Sequence, residues 1–156
     1  MEKVLSTYNE GYEQDFPVIC YDERPCQLIG DVMQPIEMKS GQIEKQDYHY
    51  KRNGVCNVLL AIELLTGNRF VKITERRTKQ DYAEFMMELS NRYPTAKKIK
   101  LVQDNLNTNN PSSFYEKYPP QQAFDLSERF EMIYTPKKAS WWSLSCVALS
   151  VTCIER

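Results

Sequence analysis

The sequence predicts an α/β domain built on a mixed β-sheet. Three observations carry that prediction. Apolar runs at 18–21, 55–65, 69–74 and 98–103 have strand length and end in turn or loop residues. One helical pattern, from Thr78 to Tyr93, stands between the third run and the fourth. The order strand, hairpin, helix, strand implies a helix that crosses over to a parallel strand.

Residues 1–17, polar, with Gly11 and ending on Pro17, read as a lead-in to a domain spanning 18–156. Val18-Ile19-Cys20-Tyr21 is a short strand that ends at Asp22. Pro25, Gly30, Pro35 and Gly41 break the next stretch into loop, with a short strand near 27–29. Val55–Leu65, the turn Thr66-Gly67-Asn68 and Arg69–Thr74 form a β-hairpin. Thr78 caps the helix, with Asp81 completing a weak capping box. Tyr82, Phe85, Met86, Leu89 and Tyr93 share its inward face, and Pro94 stops it.

Lys98–Gln103 is the next strand, ending at Asp104. Residues 111–129 are helical in two pieces split by Pro119-Pro120. Phe130–Tyr134 is a further strand, closed by Thr135-Pro136. The last predicted element is a helix over Ser143–Ile154, with Leu144, Val147, Ala148 and Val151 on one face. Cys146 and Cys153 lie about 10 Å apart along that helix, too far for a disulfide.

A chain of 156 residues with 42% hydrophobic content closes one core without metals or disulfides. No apolar run reaches membrane-spanning length, and the acidic start (Glu2, Glu10, Glu13, Asp15) is wrong for a signal peptide. The expected location is therefore the cytoplasm. The 5 cysteines (Cys20, Cys26, Cys56, Cys146, Cys153) are odd in number and lack Cys-x-x-Cys spacing. With His49 the only histidine, a disulfide framework or structural zinc site is not expected, and the thiols read as reduced and mostly buried. A net charge of −1 does not mark a nucleic-acid binder. The local clusters Lys51-Arg52, Arg76-Arg77, Lys97-Lys98 with Lys100, and Lys137-Lys138 read as solvated surface unless several share one face.

Chemistry centres on Asp22 and Asp104, each expected where a strand runs out into a loop. Carboxylates at adjacent strand ends can converge on one hard divalent cation, although aspartate at a strand end is also a common turn former. If the strand continues through Glu23, that side chain points to the opposite face and reads as a solvent-facing or salt-bridging acid. Asn105, Asn107 and Thr108 are either loop caps or a shell that orients the Asp104 carboxylate. Trp141 and Trp142 read as a partly buried anchor beside the final helix rather than as a base-stacking platform. A hydrolase using Cys146 as nucleophile and His49 as base has the right residue types but no supporting pattern.

Several stretches resemble one family. They are Tyr21-Asp22-Glu23-Arg24-Pro25 with Gln27-Leu28, the block from Tyr48 to Asn57, Thr74-Glu75-Arg76-Arg77-Thr78, Asp104-Asn105-Leu106-Asn107-Thr108, Tyr134-Thr135-Pro136-Lys137, and Ser140-Trp141. In this order and spacing, from about Val4 to Val151, the chain resembles the mariner-like bacterial insertion-sequence transposases of the DDE superfamily. The resemblance implies an RNase H-like fold, a mixed sheet of about five strands with flanking helices. It also implies three acids holding two Mg²⁺ or Mn²⁺ ions for phosphodiester cleavage and strand transfer on DNA. Asp22 matches the first acid and Asp104 the second. The third is a glutamate on the final helix, three residues after an asparagine, and here those positions hold Cys146 and Ser143. Asn105, Asn107 and Lys137 become candidates for contacts around the metal or the DNA.

The resemblance also implies DNA element ends as partner, with a homodimer or an intact transposase as possible associates. Relatives usually carry a helix-turn-helix region before the catalytic domain. This sequence begins at what resembles the following linker and stops soon after the final helix begins, so a truncated, decayed copy is expected. The competing expectation is an RNase H-like module that binds DNA or a transposase without cutting.

Overall fold

The computed structural model describes residues 2–31 and 50–136. Its strands are β1 (Val18–Asp31), β2 (Tyr50–Glu63), β3 (Arg69–Thr74), β4 (Ile99–Gln103) and β5 (Phe130–Tyr134). They form one sheet in the order β3-β2-β1-β4-β5. β3, β2 and β1 pair antiparallel, whereas β4 is parallel to both β1 and β5. The helices are α1 (Glu2–Tyr8), α2 (Lys79–Arg92), α3 (Ser112–Lys117) and α4 (Pro120–Arg129). The expected mixed five-stranded sheet, the hairpin, the crossover to a parallel strand and the helix split at Pro119-Pro120 are all present.

Side chains alternate across a strand, so one sheet has two different faces. Ile19, Tyr21, Leu59, Ala61, Ile99 and Leu101 point to one face. There they meet Tyr82, Phe85, Met86 and Leu89 of α2, Phe114 of α3 and Leu126 of α4 in the main core. Val18, Cys20, Val102 and Ile133 point the other way and are covered by Val4 of α1. The lead-in thus carries a helix whose Val4 and Thr7 are buried. Seven residues show too little periodicity to announce that helix in the sequence.

β1 departs from expectation. The sequence reads it as stopping at Asp22, with loop and a short strand near 27–29 beyond, but one strand runs on to Asp31 straight through Pro25. Two backbone bonds explain the tolerance. The Val18 carbonyl accepts from the Leu64 N–H at 3.2 Å, and the Pro17 carbonyl from the Lys100 N–H at 3.0 Å. Alternation then turns the backbone groups of even-numbered residues toward β2 and those of odd-numbered residues toward β4. Pairing with β4 ends at Cys20, so among the described residues no strand lies on the side that Pro25 faces, and its missing N–H costs no ladder bond there. β2 correspondingly starts at Tyr50, ahead of the apolar run, because its polar first residues are held by the ladder to β1. The register slips between Leu28 and Ile29, opposite Gly54, whose φ of 142° belongs to glycine.

The start of α2 is fixed locally. The Thr78 side chain accepts from the Asp81 N–H at 3.1 Å, and the Asp81 carboxylate accepts from the Thr78 N–H at 3.2 Å. Both halves of the capping box are therefore made. Replacing Thr78 by Ala should lower unfolding free energy by about 1 kcal/mol in a urea titration, while Ser should retain most of it. An Ala variant as stable as the parent would show that the cap contributes nothing here.

Candidate active site

The parallel register of β1 and β4 places the acids. Cys20 pairs with Val102, and both side chains lie on the α1 face. Continued two residues beyond the last pair, the same alternation directs Asp22 and Asp104 to that face, near enough for the Asp104 charge to act on Asp22. Asp22 is thus not at a strand end, as expected, but inside β1, at the point where its β4 neighbour has finished. The opening between the strands is made by β4 ending at Gln103.

Asp22 is half-buried, and its pKa is raised from the ordinary value. Burial is the main cause, with the negative charges of Asp104 and Glu23 adding to it. The Glu23 N–H, donating to Asp22 Oδ1 at 2.8 Å, works in the opposite direction. Asp104 is fixed by Thr135, whose hydroxyl donates to Oδ1 at 2.5 Å. Thr135 is itself buried and donates its N–H to the Gln103 carbonyl at 3.0 Å. It reaches Asp104 because β4 and β5 run in register, Gln103 beside Tyr134, and each chain continues by one residue.

The sequence shows Thr135 only at a strand end and leaves Asn105, Asn107 and Thr108 as either loop caps or a shell that orients Asp104. Asn105 and Asn107 are exposed, and the hydrogen bond described on Asp104 comes from Thr135. The Asn107 carbonyl instead accepts from the Asn110 side chain at 2.9 Å, which closes the loop. His49, Lys137, Trp141, Trp142 and Cys146, with the predicted helix over Ser143–Ile154, lie outside the described residues.

The opposite face holds a buried polar chain. The Glu23 side chain is only 2% exposed and forms an ion pair with Arg77, Nε to Oε2 at 2.5 Å. That contact lacks hydrogen-bond alignment, and the hydrogen bond to Glu23 comes from the Tyr21 hydroxyl at 2.7 Å on Oε1. Burial, then the Glu23 charge, pushes the Tyr21 pKa well up, so the phenol stays a donor. Arg77 also reaches Thr108 Oγ1 at 3.4 Å, and Thr108 donates to Asn109 Oδ1 at 2.9 Å. Gln103 closes the chain, donating to the Asn109 carbonyl and accepting from the Tyr82 hydroxyl, each at 2.9 Å. The strand carrying Asp22 and the loop after Asp104 are therefore tied together from behind.

The basic clusters are partly neutralised. Arg77 is taken by Glu23, Lys97 by Asp15 at 2.6 Å, and Lys100 by Glu10. Among the described residues no group of three or more His, Cys, Asp or Glu side chains is arranged to hold a metal. The pair Asp22 and Asp104 offers hard oxygen donors whose mutual repulsion a divalent cation would relieve.

The sequence model of the DDE superfamily endonucleases matches residues 17–145. This chain belongs to that superfamily. Its domain has the RNase H-like fold of the solved structures it resembles. With the Mos1 transposase paired-end complex with left transposon end it shares a TM-score of 0.55 at 11% identity, over 95% of this chain and 46% of that one. With the Mos1 mariner paired-end complex with Mn the TM-score is 0.52 at 13% identity, over 88% and 41%. With a simian T-cell lymphotropic virus intasome bound to the PP2A regulatory subunit B56 gamma it is 0.53 at 10% identity, over 87% and 37%. At such identities the likeness is one of fold, and the chain spans less than half the length of each of these proteins. No curated protein sequence matches it. Among the described residues no helix is long and apolar enough to cross a membrane.

The domain carries Asp22 at a cost in stability. Because the Asp22 pKa is raised, ionising it is harder in the folded chain than in the unfolded one. The associated stability is present below the ordinary value of 3.8 and is lost as pH rises through the folded value. At neutral pH the full cost stands. Asp22→Asn, which keeps the Oδ1 acceptor, should raise the melting temperature of the metal-free domain at pH 7, with the gap closing near pH 3. A lower melting temperature at pH 7 would contradict this reading.

Proposed function

We propose that this chain is the catalytic domain of a mariner-like bacterial insertion-sequence transposase, with residues 18–156 as the domain and 1–17 leading into it. Its ancestral chemistry is divalent-metal-dependent phosphodiester cleavage and strand transfer on element-end DNA, performed in the cytoplasm by a dimer. One observation supports the reading: the β1–β4 register runs toward Asp22 and Asp104, whose charges act on each other, in a chain that belongs to the DDE superfamily.

These two carboxylates would hold Mg²⁺ or Mn²⁺. When bound, such ions activate the attacking oxygen and stabilise the leaving oxygen of an in-line displacement. The chain's own contribution is orientation. Thr135 fixes the Asp104 carboxylate, and the Glu23–Arg77–Thr108 chain holds the strand and the loop that carry the two acids. Asn105, Asn107 and Lys137 are proposed to lie toward the DNA.

Cys146 stands at the third-acid position of the resemblance. A thiol is a soft ligand and a poor partner for Mg²⁺. Loss of a metal carboxylate forfeits several kcal/mol of transition-state stabilisation, about three decades of rate. We therefore read the chain as a decayed copy with reduced or no activity. The same substitution favours the second reading, a non-catalytic module that binds DNA or an intact transposase.

Calorimetry with Mn²⁺ tests the metal site. The parent chain should bind, and Asp104→Ala should abolish binding. Plasmid nicking then separates the two readings: Cys146→Glu should raise the rate by about three decades if the missing carboxylate limits turnover. Salt-sensitive DNA binding with no nicking by either protein would favour the binding module. No Mn²⁺ binding by the parent would remove the metal-dependent reading.

A further inference from the structure

The thiols were expected to be mostly buried, and Cys20 is. Cys26 and Cys56 are not: both are half-exposed, and they sit directly opposite each other on β1 and β2. Thirty residues apart in sequence, they are brought together only by the register Asp22↔Leu60, Arg24↔Val58, Cys26↔Cys56. Cys20 faces Ile62 in the same ladder and has no opposing thiol there.

The type of pairing matters. The Leu64 N–H to Val18 carbonyl bond fixes the even-numbered residues of β1 as the hydrogen-bonded pairs of this ladder. The register is unbroken from Ile19 to Leu28, so Cys26 and Cys56 form such a pair. Hydrogen-bonded antiparallel pairs have Cα atoms about 5.5 Å apart, within the range a disulfide spans. Both side chains leave the same face of the ribbon. The Cys26 thiol donates to the Arg24 carbonyl at 3.8 Å, a weak contact that a rotation about χ1 releases.

We propose that Cys26 and Cys56 form a cross-strand dithiol site that peroxide converts to a disulfide. One thiolate attacks a peroxide oxygen, the O–O bond breaks, and a sulfenic acid forms with release of water. The second thiolate attacks that sulfur, the S–O bond breaks, and the hydroxide leaves as water after protonation. The two thiols lose two electrons and two protons, and one hydrogen peroxide becomes two waters. Among the described residues β1 is paired beyond Cys20 with β2 alone, so the bond clasps the ribbon along a stretch held by that one ladder. It lies on the face that carries Asp22, four residues along, about 13 Å away at the rise of a strand.

The site is independent of the metal reading, and its test uses no metal. The purified full chain is titrated with hydrogen peroxide, quenched by alkylation and mapped by non-reducing peptide mass spectrometry. The expected product is an intramolecular Cys26–Cys56 link lacking two hydrogens, reversed by dithiothreitol. It should persist in a Cys146→Ser, Cys153→Ser double variant and vanish in Cys56→Ser, which should instead stop at the sulfenic acid of Cys26. Hydrogen exchange across 24–31 and 50–57 should slow on oxidation. Sulfinic acid on either cysteine, intermolecular links, or a link to Cys146 or Cys153 in place of the Cys26–Cys56 bond would overturn the proposal.

Discussion

The parallel pairing of β1 with β4 covers only three residue pairs, Val18–Lys100 to Cys20–Val102, yet the rest of the domain is organised around it. It joins the antiparallel hairpin side of the sheet to the parallel side. It also sets which residues of the two strands share a face. A slip of one residue would turn Asp104 away from Asp22 and bury it among α2 side chains. The apolar alternation prevents that slip. Ile19, Leu101 and Ile99 must enter the main core while Val18, Cys20 and Val102 meet α1. The placement of the two acids is thus a by-product of burying six hydrophobic side chains correctly.

Behind this register the two faces have opposite electrostatic character. On the α2 face the charge of Glu23 is met by Arg77 and by the Tyr21 hydroxyl. On the α1 face Asp22 and Asp104 are held near each other, each with a hydrogen bond but neither with an ion pair among the described residues. A buried acid paired with a cation is structural, whereas two neighbouring acids without an ion pair of their own repel each other in a way that a ligand can relieve. Adjacent residues of one strand, Asp22 and Glu23, therefore take opposite roles through side-chain alternation alone.

Local features were legible in the sequence. Thr78 and Asp81, the turn at 66–68, and Pro119-Pro120 each act through neighbours within a few residues, and each produced the element they predict. What depended on distant pairing was not legible. Pro25 reads as a strand breaker until β4 is known to stop short of it. Thr135 reads as the end of a strand until the β4–β5 register puts it beside Asp104. The Cys26–Cys56 pairing has no local signature. The motif resemblance supplied Asp22 and Asp104 together, which spacing alone could not, since aspartate after a strand is usually a turn former.

On the proposed function, two segments far apart in sequence share one cation. Paramagnetic broadening by Mn²⁺ in amide-detected NMR of the labelled chain tests it most directly. Signals from residues 21–23 and from 103–105 should weaken together at the same low Mn²⁺ occupancy, while those of 115–118 in and after α3 persist. Broadening confined to one of the two segments, or spread evenly over the acidic surface, would contradict a shared site.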